Sequence, residues 1–274
     1  MRKLWRRALR VMVLGGVALP VAGLSWAEGL PALQVESVSH GAEVRGVVSG
    51  ELPFEFERTR ALLASPVAWC DIVLLHFNVK ACVPGTDRGH ARLSVYHGGK
   101  RSLGAEEGAA LRYSFAVETR ASRLAVMLRA DRGSLGTRDH RLRLVASPAG
   151  AARTAVRFDY AFEASGWARQ VLRAYLATAG RHKCGFSVVE DDGERHCVRG
   201  VRGILERNAV RYYYAMIAVL EGQAAAPGDA AWRARRWFDL TETQPRQLRE
   251  MSREEYLATK LPQLAEHDAA RAAP

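Results

Sequence analysis

Residues 154–180, TAVRFDYAFEASGWARQVLRAYLATAG, change from one structural period to another at Ser165. Over residues 154–163 apolar and polar side chains alternate, which is typical of a β-strand with one buried face. Ser165 can cap a helix, and the apolar residues of the segment 167–175 then recur at helical spacing until Gly180. The stretch therefore predicts a strand followed directly by an amphipathic helix that packs back on a sheet.

The segments upstream continue the pattern of this strand. Further alternating strands, separated by turns rich in Gly or Pro, are predicted in residues 92–97, 111–118, 123–130 and 139–146. Before them, residues 44–52 predict a first strand and residues 53–75 predict two short helices. The order predicts an α+β fold in which a curved antiparallel sheet grips a long helix. Additional helices are expected near residues 203–221, 230–239 and 252–266.

This order of elements resembles the START-like (SRPBCC, polyketide-cyclase-like) helix-grip superfamily. The matching elements are Val44–Leu52 as first strand, Pro53–Leu74 with Trp69 as the helix pair, the strands up to Phe162, and Gly166–Gly180 as the gripped helix. The resemblance implies a helix-grip domain, which we place at residues 28–180. Residues 181–274 have no counterpart in the minimal fold of that superfamily, and we expect them to form a cysteine hairpin and a helical C-terminal extension packed on the domain. It also implies that the protein binds a lipid or another hydrophobic small molecule, and more rarely that it is an enzyme.

One helix alone cannot fill the concave face of a curved sheet, so an apolar cavity is expected between them. Its expected lining is the set of inward strand residues together with two residues of the helix after Ser165. These are Leu111, Tyr113, Phe115, Val126, His140, Leu142, Leu144, Val156, Phe158, Tyr160, Phe162, Val171 and Tyr175. The expected partner is a hydrophobic small molecule or a lipid.

The sequence contains none of the familiar catalytic or phosphate-binding motifs. Asp139 and His140 are adjacent, but neighbours on a strand point to opposite faces and cannot form an acid–base pair there. We therefore assign no catalytic residue, cofactor or metal. A hydrolase or cyclase that uses a polar group in the cavity, and a non-catalytic interaction protein of the cell envelope, remain as alternatives. His76, His90 and His97 are expected at the surface.

The cysteines are four in number, namely Cys70, Cys82, Cys184 and Cys197. An even number in an exported protein favours disulfides, and four cysteines allow three connectivities. We predict that each cysteine pairs with its neighbour in the sequence, because the second pair flanks a hairpin signal. The prediction is thus Cys70 with Cys82 and Cys184 with Cys197.

The hairpin signal is the dipeptide Asp192-Gly193, which favours a tight turn between two short strands. Such a turn would bring the two flanking cysteines close together. His182 and His196 lie beside the same cysteines, so a zinc site with two His and two Cys ligands is an alternative. Free or mixed thiols are a further alternative.

The first 27 residues have the three parts of a secretory signal peptide. Residues 1–10 carry five basic side chains and no acid, residues 11–24 are apolar, and Ser25 and Ala27 supply the small residues of a cleavage site. The apolar part is shorter than the roughly 20 residues of a membrane-spanning helix, and no later segment is apolar enough to span. The sequence predicts cleavage after Ala27 and export to a bacterial periplasm.

The charge balance excludes one class of partner. The net charge of +11 falls to +6 once the basic residues of the signal peptide are removed. The remaining arginines are scattered through strands and helices, whereas nucleic-acid binding requires a clustered basic stripe with aromatic platforms. Nucleic acid is therefore not an expected partner, while peripheral contact with anionic lipid headgroups stays open.

Overall fold

The structure is a computed structural model. It describes residues 32–99, 110–133, 136–164, 166, 170, 183–191 and 193–272. The predicted signal peptide lies outside the described residues. The chain from Pro31 to Pro274 is one compact unit.

An antiparallel sheet of eight strands forms the centre of the molecule. Its strands are β1 Gln34–His40, β2 Glu43–Leu52, β3 Val79–Asp87, β4 His90–His97, β5 Ala110–Arg120, β6 Arg123–Arg132, β7 Thr137–Pro148 and β8 Thr154–Ala164. They lie in the order β1-β2-β8-β7-β6-β5-β4-β3. Strand β2 therefore pairs with the last strand of the meander, while β3 lies at the opposite edge.

Two short helices carry the chain from β2 to β3, as the sequence predicts. Helix α1 is Phe56–Leu63 and helix α2 is Pro66–Leu74. The Ser65 hydroxyl accepts a hydrogen bond from the Ala68 N–H at 3.3 Å, which caps α2, and Pro66 occupies the first turn where no amide donor is needed. These helices contact β3, β4 and β7 on one face of the sheet.

The long helix on this face is α3, Gly200–Ala225, which contacts β1, β2 and α2. The Tyr213 hydroxyl donates to the Glu51 carbonyl at 2.5 Å and fixes the helix to β2. A curved antiparallel sheet holding a long helix, with further helices after it, confirms the predicted α+β helix-grip fold.

The sequence analysis assigned the gripped helix to Gly166–Gly180. Only Gly166 and Gln170 of that segment are described, and both are helical and exposed. Helix α3 lies in the part of the sequence that we assigned to the C-terminal extension. Its residues 213–220 are all buried, because α3 is covered by the sheet on one side and by a later helix on the other. A helix buried all round gives no amphipathic signal, so its position on the sheet was not recognisable from its pattern.

Both predicted disulfides, Cys70–Cys82 and Cys184–Cys197, are present. The first joins α2 to β3. The second closes the predicted hairpin, whose strands are β9 Val188–Asp191 and β10 Glu194–Cys197. Since these sulfurs are bonded to each other, they are not available as the thiolates of a zinc site.

Glu206 fastens the hairpin region to α3 and β1. Its buried carboxylate accepts hydrogen bonds from the Phe186 N–H at 2.7 Å, the Ser187 N–H at 2.9 Å and the Ser37 hydroxyl at 2.5 Å. A buried carboxylate that is satisfied by several donors positions the elements that supply them. One side chain thereby fixes three segments that are distant in the sequence.

The C-terminal helices pack on α3 and on the turn between α2 and β3. They are α4 Ala230–Thr241, α5 Pro245–Leu248 and α6 Arg253–Ala272. The Tyr256 hydroxyl donates to the Leu75 carbonyl at 2.8 Å, and the Lys260 ammonium donates to the carbonyls of His76 and Val79 at 3.1 and 2.7 Å. In the described part of the chain, no helix combines the length and apolar character needed to cross a membrane.

This packing corrects the expectation that His76 lies at the surface. Its side chain is only 3% exposed and its ring lies 5.3 Å from that of Tyr212. Burial lowers the pKa of His76 well below its usual value. The C-terminal helices cover this histidine, and their docking position could not be read from the local sequence around it.

Candidate functional site

The two faces of the sheet can be assigned from the strand register, because directly opposite residues in paired strands lie on the same face. Val126 lies opposite Leu144, which lies opposite Phe158, which in turn lies opposite Val48. All four are buried. This face, which α2 and α3 cover, is called the inner face below, and the other is the outer face.

All of the expected cavity residues that the structure describes lie on the inner face. Seven of them are buried, namely Leu111, Phe115, Val126, Leu144, Val156, Phe158 and Tyr160. Tyr113, His140, Leu142 and Phe162 are half-buried. Val171 and Tyr175 lie outside the described residues.

Three of the four half-buried residues lie towards one end of the sheet, with Tyr113 in the first half of β5, His140 near the start of β7 and Phe162 near the end of β8. The fourth, Leu142, follows His140 on the same face at the middle of β7. The rings of His140 and Phe162 stack with centroids 5.3 Å apart. These inward-facing aromatic and apolar side chains remain half-buried, which indicates that the helices cover the inner face least completely here. We call these four residues the open end.

A cavity of about 50 Å³ lies between the inner face and the helices. It is lined by Trp69 and Val73 of α2, Tyr212 of α3, and the sheet residues Leu93, Val95, His97, Tyr113, Leu128, Leu142 and Phe158. This volume holds a few water molecules, whereas sites for drug-sized ligands measure roughly 300–1,000 Å³. The space is therefore small, and of the residues predicted to line a cavity, Tyr113, Leu142 and Phe158 border it.

Large side chains from the helices explain why so little space remains. The Trp69 indole N–H donates to the Leu63 carbonyl at 2.7 Å, which holds the ring edge-on to Phe115 at a centroid distance of 6.4 Å. Tyr212 enters the same space from α3. The sequence analysis considered only strand residues and one helix as lining, so it missed the contribution of α2 and α3.

His97 was also expected at the surface. The structure corrects this expectation as well, because His97 lines the cavity. A sequence signal for this position was available. Leu93 and Val95 are buried on the inner face of β4, and His97 continues the same two-residue period. The Gly residues that follow it suggested an exposed strand end instead.

The titratable groups around the cavity are held in their neutral forms by burial. The pKa of Tyr212 is raised to about 12, the pKa of Tyr113 is raised further above its usual value, and the pKa of His140 is lowered to about 4. At neutral pH these side chains offer uncharged hydrogen-bonding groups beside an apolar wall. A neutral ligand with one or two polar atoms fits such a surface better than an ion does.

His140 is not part of an acid–base pair. Its Nε2 lies 2.9 Å from the Thr137 hydroxyl, while Asp139 is exposed and lies 3.2 Å from the guanidinium of Arg141. The two neighbours are thus directed apart, at a point where Asp139 has a φ of 50° and the register of β7 with β8 shifts. Among the residues that the structure describes, no group of three or more His, Cys, Asp or Glu side chains could hold a metal ion.

The topology is the observation that defines the fold. The first long strand pairs with the last one, two short helices connect it to the far edge, and a long helix lies in the concavity. The chain has an α+β helix-grip fold. No protein-family model and no curated protein sequence matches it.

Several solved structures are similar to this chain at low identity. Truncated norcoclaurine synthase from Thalictrum flavum is 12% identical and has a TM-score of 0.35, covering 53% of this chain and 91% of its own. The Zhui aromatase/cyclase from a Streptomyces species is 14% identical with a TM-score of 0.39, covering 71% and 99%. CalU16 from Micromonospora echinospora is 10% identical with a TM-score of 0.38, covering 89% and 96%. Likenesses this distant carry no argument about activity.

Proposed function

We propose that this protein binds a small hydrophobic molecule between the inner face of the sheet and α3. The observation that carries the proposal is that Tyr113 and Leu142 belong both to the wall of the cavity and to the open end. A ligand that contacts the half-buried side chains of the open end can therefore extend into the interior. Apolar contact supplies the affinity, and the neutral hydroxyls of Tyr113 and Tyr212 are placed to orient a polar atom.

The size of the cavity favours one class of ligand over another. A space of about 50 Å³ accepts part of a compact ring system or a short chain, whereas a long-chain lipid requires several packed side chains to move. We therefore favour a compact hydrophobic molecule, with a lipid as the less favoured ligand. Extraction of the purified protein with organic solvent, followed by mass spectrometry, identifies which class is carried.

A paired substitution on β7 tests the location. Leu142→Trp introduces an indole at the open end, while Val145→Trp introduces one on the outer face, at another half-buried position of the strand. With the neutral fluorescent probe 1-aminoanthracene, we expect the first variant to lose binding and the second to bind like the unsubstituted protein. Equal binding by both variants, or no binding by the unsubstituted protein, would contradict the proposal.

We also propose that the protein is exported, with the periplasm as its location. Two disulfides support this, since structural disulfides persist in oxidising compartments. Expression of the full chain in bacteria, osmotic shock and N-terminal sequencing test it. The expected mature protein is released by the shock and begins at Glu28. A protein that stays with the cytoplasmic fraction and keeps residues 1–27 would contradict export.

An enzyme of the hydrolase or cyclase type is the second candidate, because His97, Tyr113 and Tyr212 all line the one cavity. Tyr113→Phe separates the two functions. In an enzyme, the variant keeps its affinity for 1-aminoanthracene while a compound absent from the unsubstituted protein accumulates in the extract. In a binding protein, the same compound is recovered from both.

A further inference from the structure

The outer face of the sheet carries a groove of about 520 Å³ that crosses β1, β2, β8, β7 and β6. The arginines that line it are Arg45, Arg129, Arg141, Arg143 and Arg157. The acids that line it are Glu36, Glu43 and Asp159, so the formal charge of the lining is +2. The volume falls within the range of small-molecule sites, and it is about ten times that of the interior cavity.

Two of these arginines are neutralised by neighbouring acids. Arg141 lies 2.5 Å from Glu43 and 3.2 Å from Asp139, and Arg157 lies 2.7 Å from Asp159. Within the described ranges, Arg45, Arg129 and Arg143 form no ion pair. These last three are exposed, and we call them the free arginines.

The strand register places like charges beside one another in this groove. Arg129 lies directly opposite Arg141, and Arg45 and Arg141 flank Ala161 from its two sides. Like charges that lie directly opposite each other destabilise a sheet. Glu43 and Asp139 compensate part of this repulsion at Arg141. An anion bound beside Arg129 would compensate the rest.

The chemistry of the lining specifies the anion. A guanidinium binds phosphate or carboxylate oxygens through two parallel hydrogen bonds, and a phosphate monoester with nearly two negative charges matches a lining charge of +2. Val47, Met127 and Ala161 lie half-buried between the arginines and supply an apolar floor. We propose that the outer groove binds a soluble organic phosphate monoester, with its phosphate held by the free arginines and its carbon part over Met127.

The groove and the interior cavity lie on opposite faces of the sheet, where side chains point in opposite directions, although Leu142 and Tyr160 of the inner face also border the groove. The proposal for the groove therefore does not depend on the proposed hydrophobic-ligand function. A concave groove also suits a soluble molecule better than the flat surface of a membrane, although a lipid headgroup offers the same phosphate. The experiment distinguishes these two sources.

Hexyl phosphate is a suitable probe, with 1-hexanol as its uncharged counterpart and isothermal titration as the measurement. The groove variant is Arg45→Gln with Arg129→Gln and Arg143→Gln. The matched control is Arg112→Gln with Arg120→Gln and Arg123→Gln, which removes the same charge from exposed positions outside the groove and also contains a cross-strand arginine pair. Both triple variants should keep the unfolding midpoint of the unsubstituted protein or exceed it.

We expect the groove variant to bind hexyl phosphate about tenfold or more weakly, with the control unchanged. Rising salt should weaken binding to the unsubstituted protein, and 1-hexanol should not compete.

Equal loss in both variants would overturn the proposal, as would failure of the unsubstituted protein to bind. Binding to phosphatidylcholine vesicles that contain phosphatidic acid, without binding of hexyl phosphate, would overturn it in favour of a membrane surface. If inorganic phosphate bound as tightly as hexyl phosphate, the apolar floor would not contribute to binding, and that part of the proposal would be wrong.

Discussion

The two faces of the one sheet are built from the same strands and have different properties. On β8 the inner residues Val156, Phe158 and Tyr160 are buried, while Arg157 and Asp159 between them pair with each other at the outer face. The inner face has two functions, since it holds the helices and it also lines the candidate site. Its side chains are therefore constrained by packing as well as by any ligand.

The outer face is free of the packing constraint. Its side chains contribute little burial, so a row of arginines there costs little of the stability that the inner face provides. The comparison suggests a division of tasks. The inner face can accept only small changes of side chain and only a small ligand. The outer face can carry a strongly charged site at little cost in stability.

The largest difference between the faces is expected for neighbouring residues of β8. Phe158→Ala should lower the free energy of unfolding by about 3–5 kcal/mol, because it removes a buried ring and enlarges the cavity. Arg157→Ala, on the outer face, should change it by less than about 1 kcal/mol. Urea denaturation of the two variants measures both values, and similar losses would invalidate the division between the faces.

The disulfide between α2 and β3 belongs to the inner layer. Replacing Cys70 and Cys82 together by Ser should reduce the free energy of unfolding by about 2–4 kcal/mol, since the unfolded chain regains the entropy of a closed loop. Thermal unfolding without reductant provides the measurement. The helices α1 and α2 should loosen first, so affinity for 1-aminoanthracene should fall more than affinity for hexyl phosphate. A parallel loss of both would show that the faces are coupled.

A smaller effect is expected on how the free energy of unfolding depends on pH below neutrality. His140 has a pKa of about 4 in the folded protein and about 6.5 in an unfolded chain. Between these values the unfolded state binds more protons, so stability falls as the pH drops from about 6.5 towards 4. His140→Gln should make this fall shallower, and the remainder is expected from His76. The exposed His90→Gln serves as the control and should leave the pH profile of urea unfolding unchanged.

The smallest effect is expected on the outer face. Arg129→Thr removes a charge directly opposite Arg141 and places a strand-favouring residue there. The free energy of unfolding should stay the same or rise by about 0.5 kcal/mol. Differential scanning calorimetry at low salt is the sensitive measurement. A clear loss of stability would mean that Arg129 has a structural partner and would weaken the anion-site proposal.

The strands and their inward residues could be predicted from the sequence because a two-residue period is a local signal. Val156 and Phe158 were assigned to the correct face without knowledge of any partner strand. The turn at Gly193 similarly predicted the hairpin that carries the second disulfide. Each of these depended on residues within a few positions of one another.

The position of α3 on the sheet and the size of the cavity could not be predicted in this way. Helix α3 is buried on both sides, so its pattern does not distinguish contact with the sheet from contact with α4. The cavity is small because Trp69 and Tyr212 enter it from elements distant in the sequence. The outer groove depends on the register of five strands, which sets Arg129 beside Arg141, and no single strand reveals it.

The most direct test of the central claim is an NMR measurement of where a small apolar molecule makes contact. With methyl-labelled protein and 1-aminoanthracene, the account predicts intermolecular nuclear Overhauser effects to the methyl groups of Val73, Leu93 and Leu128, which line the interior cavity. Val47 and Val145, on the outer face, should give none. Contacts to the outer methyl groups alone would contradict the claim that the inner face is the binding site.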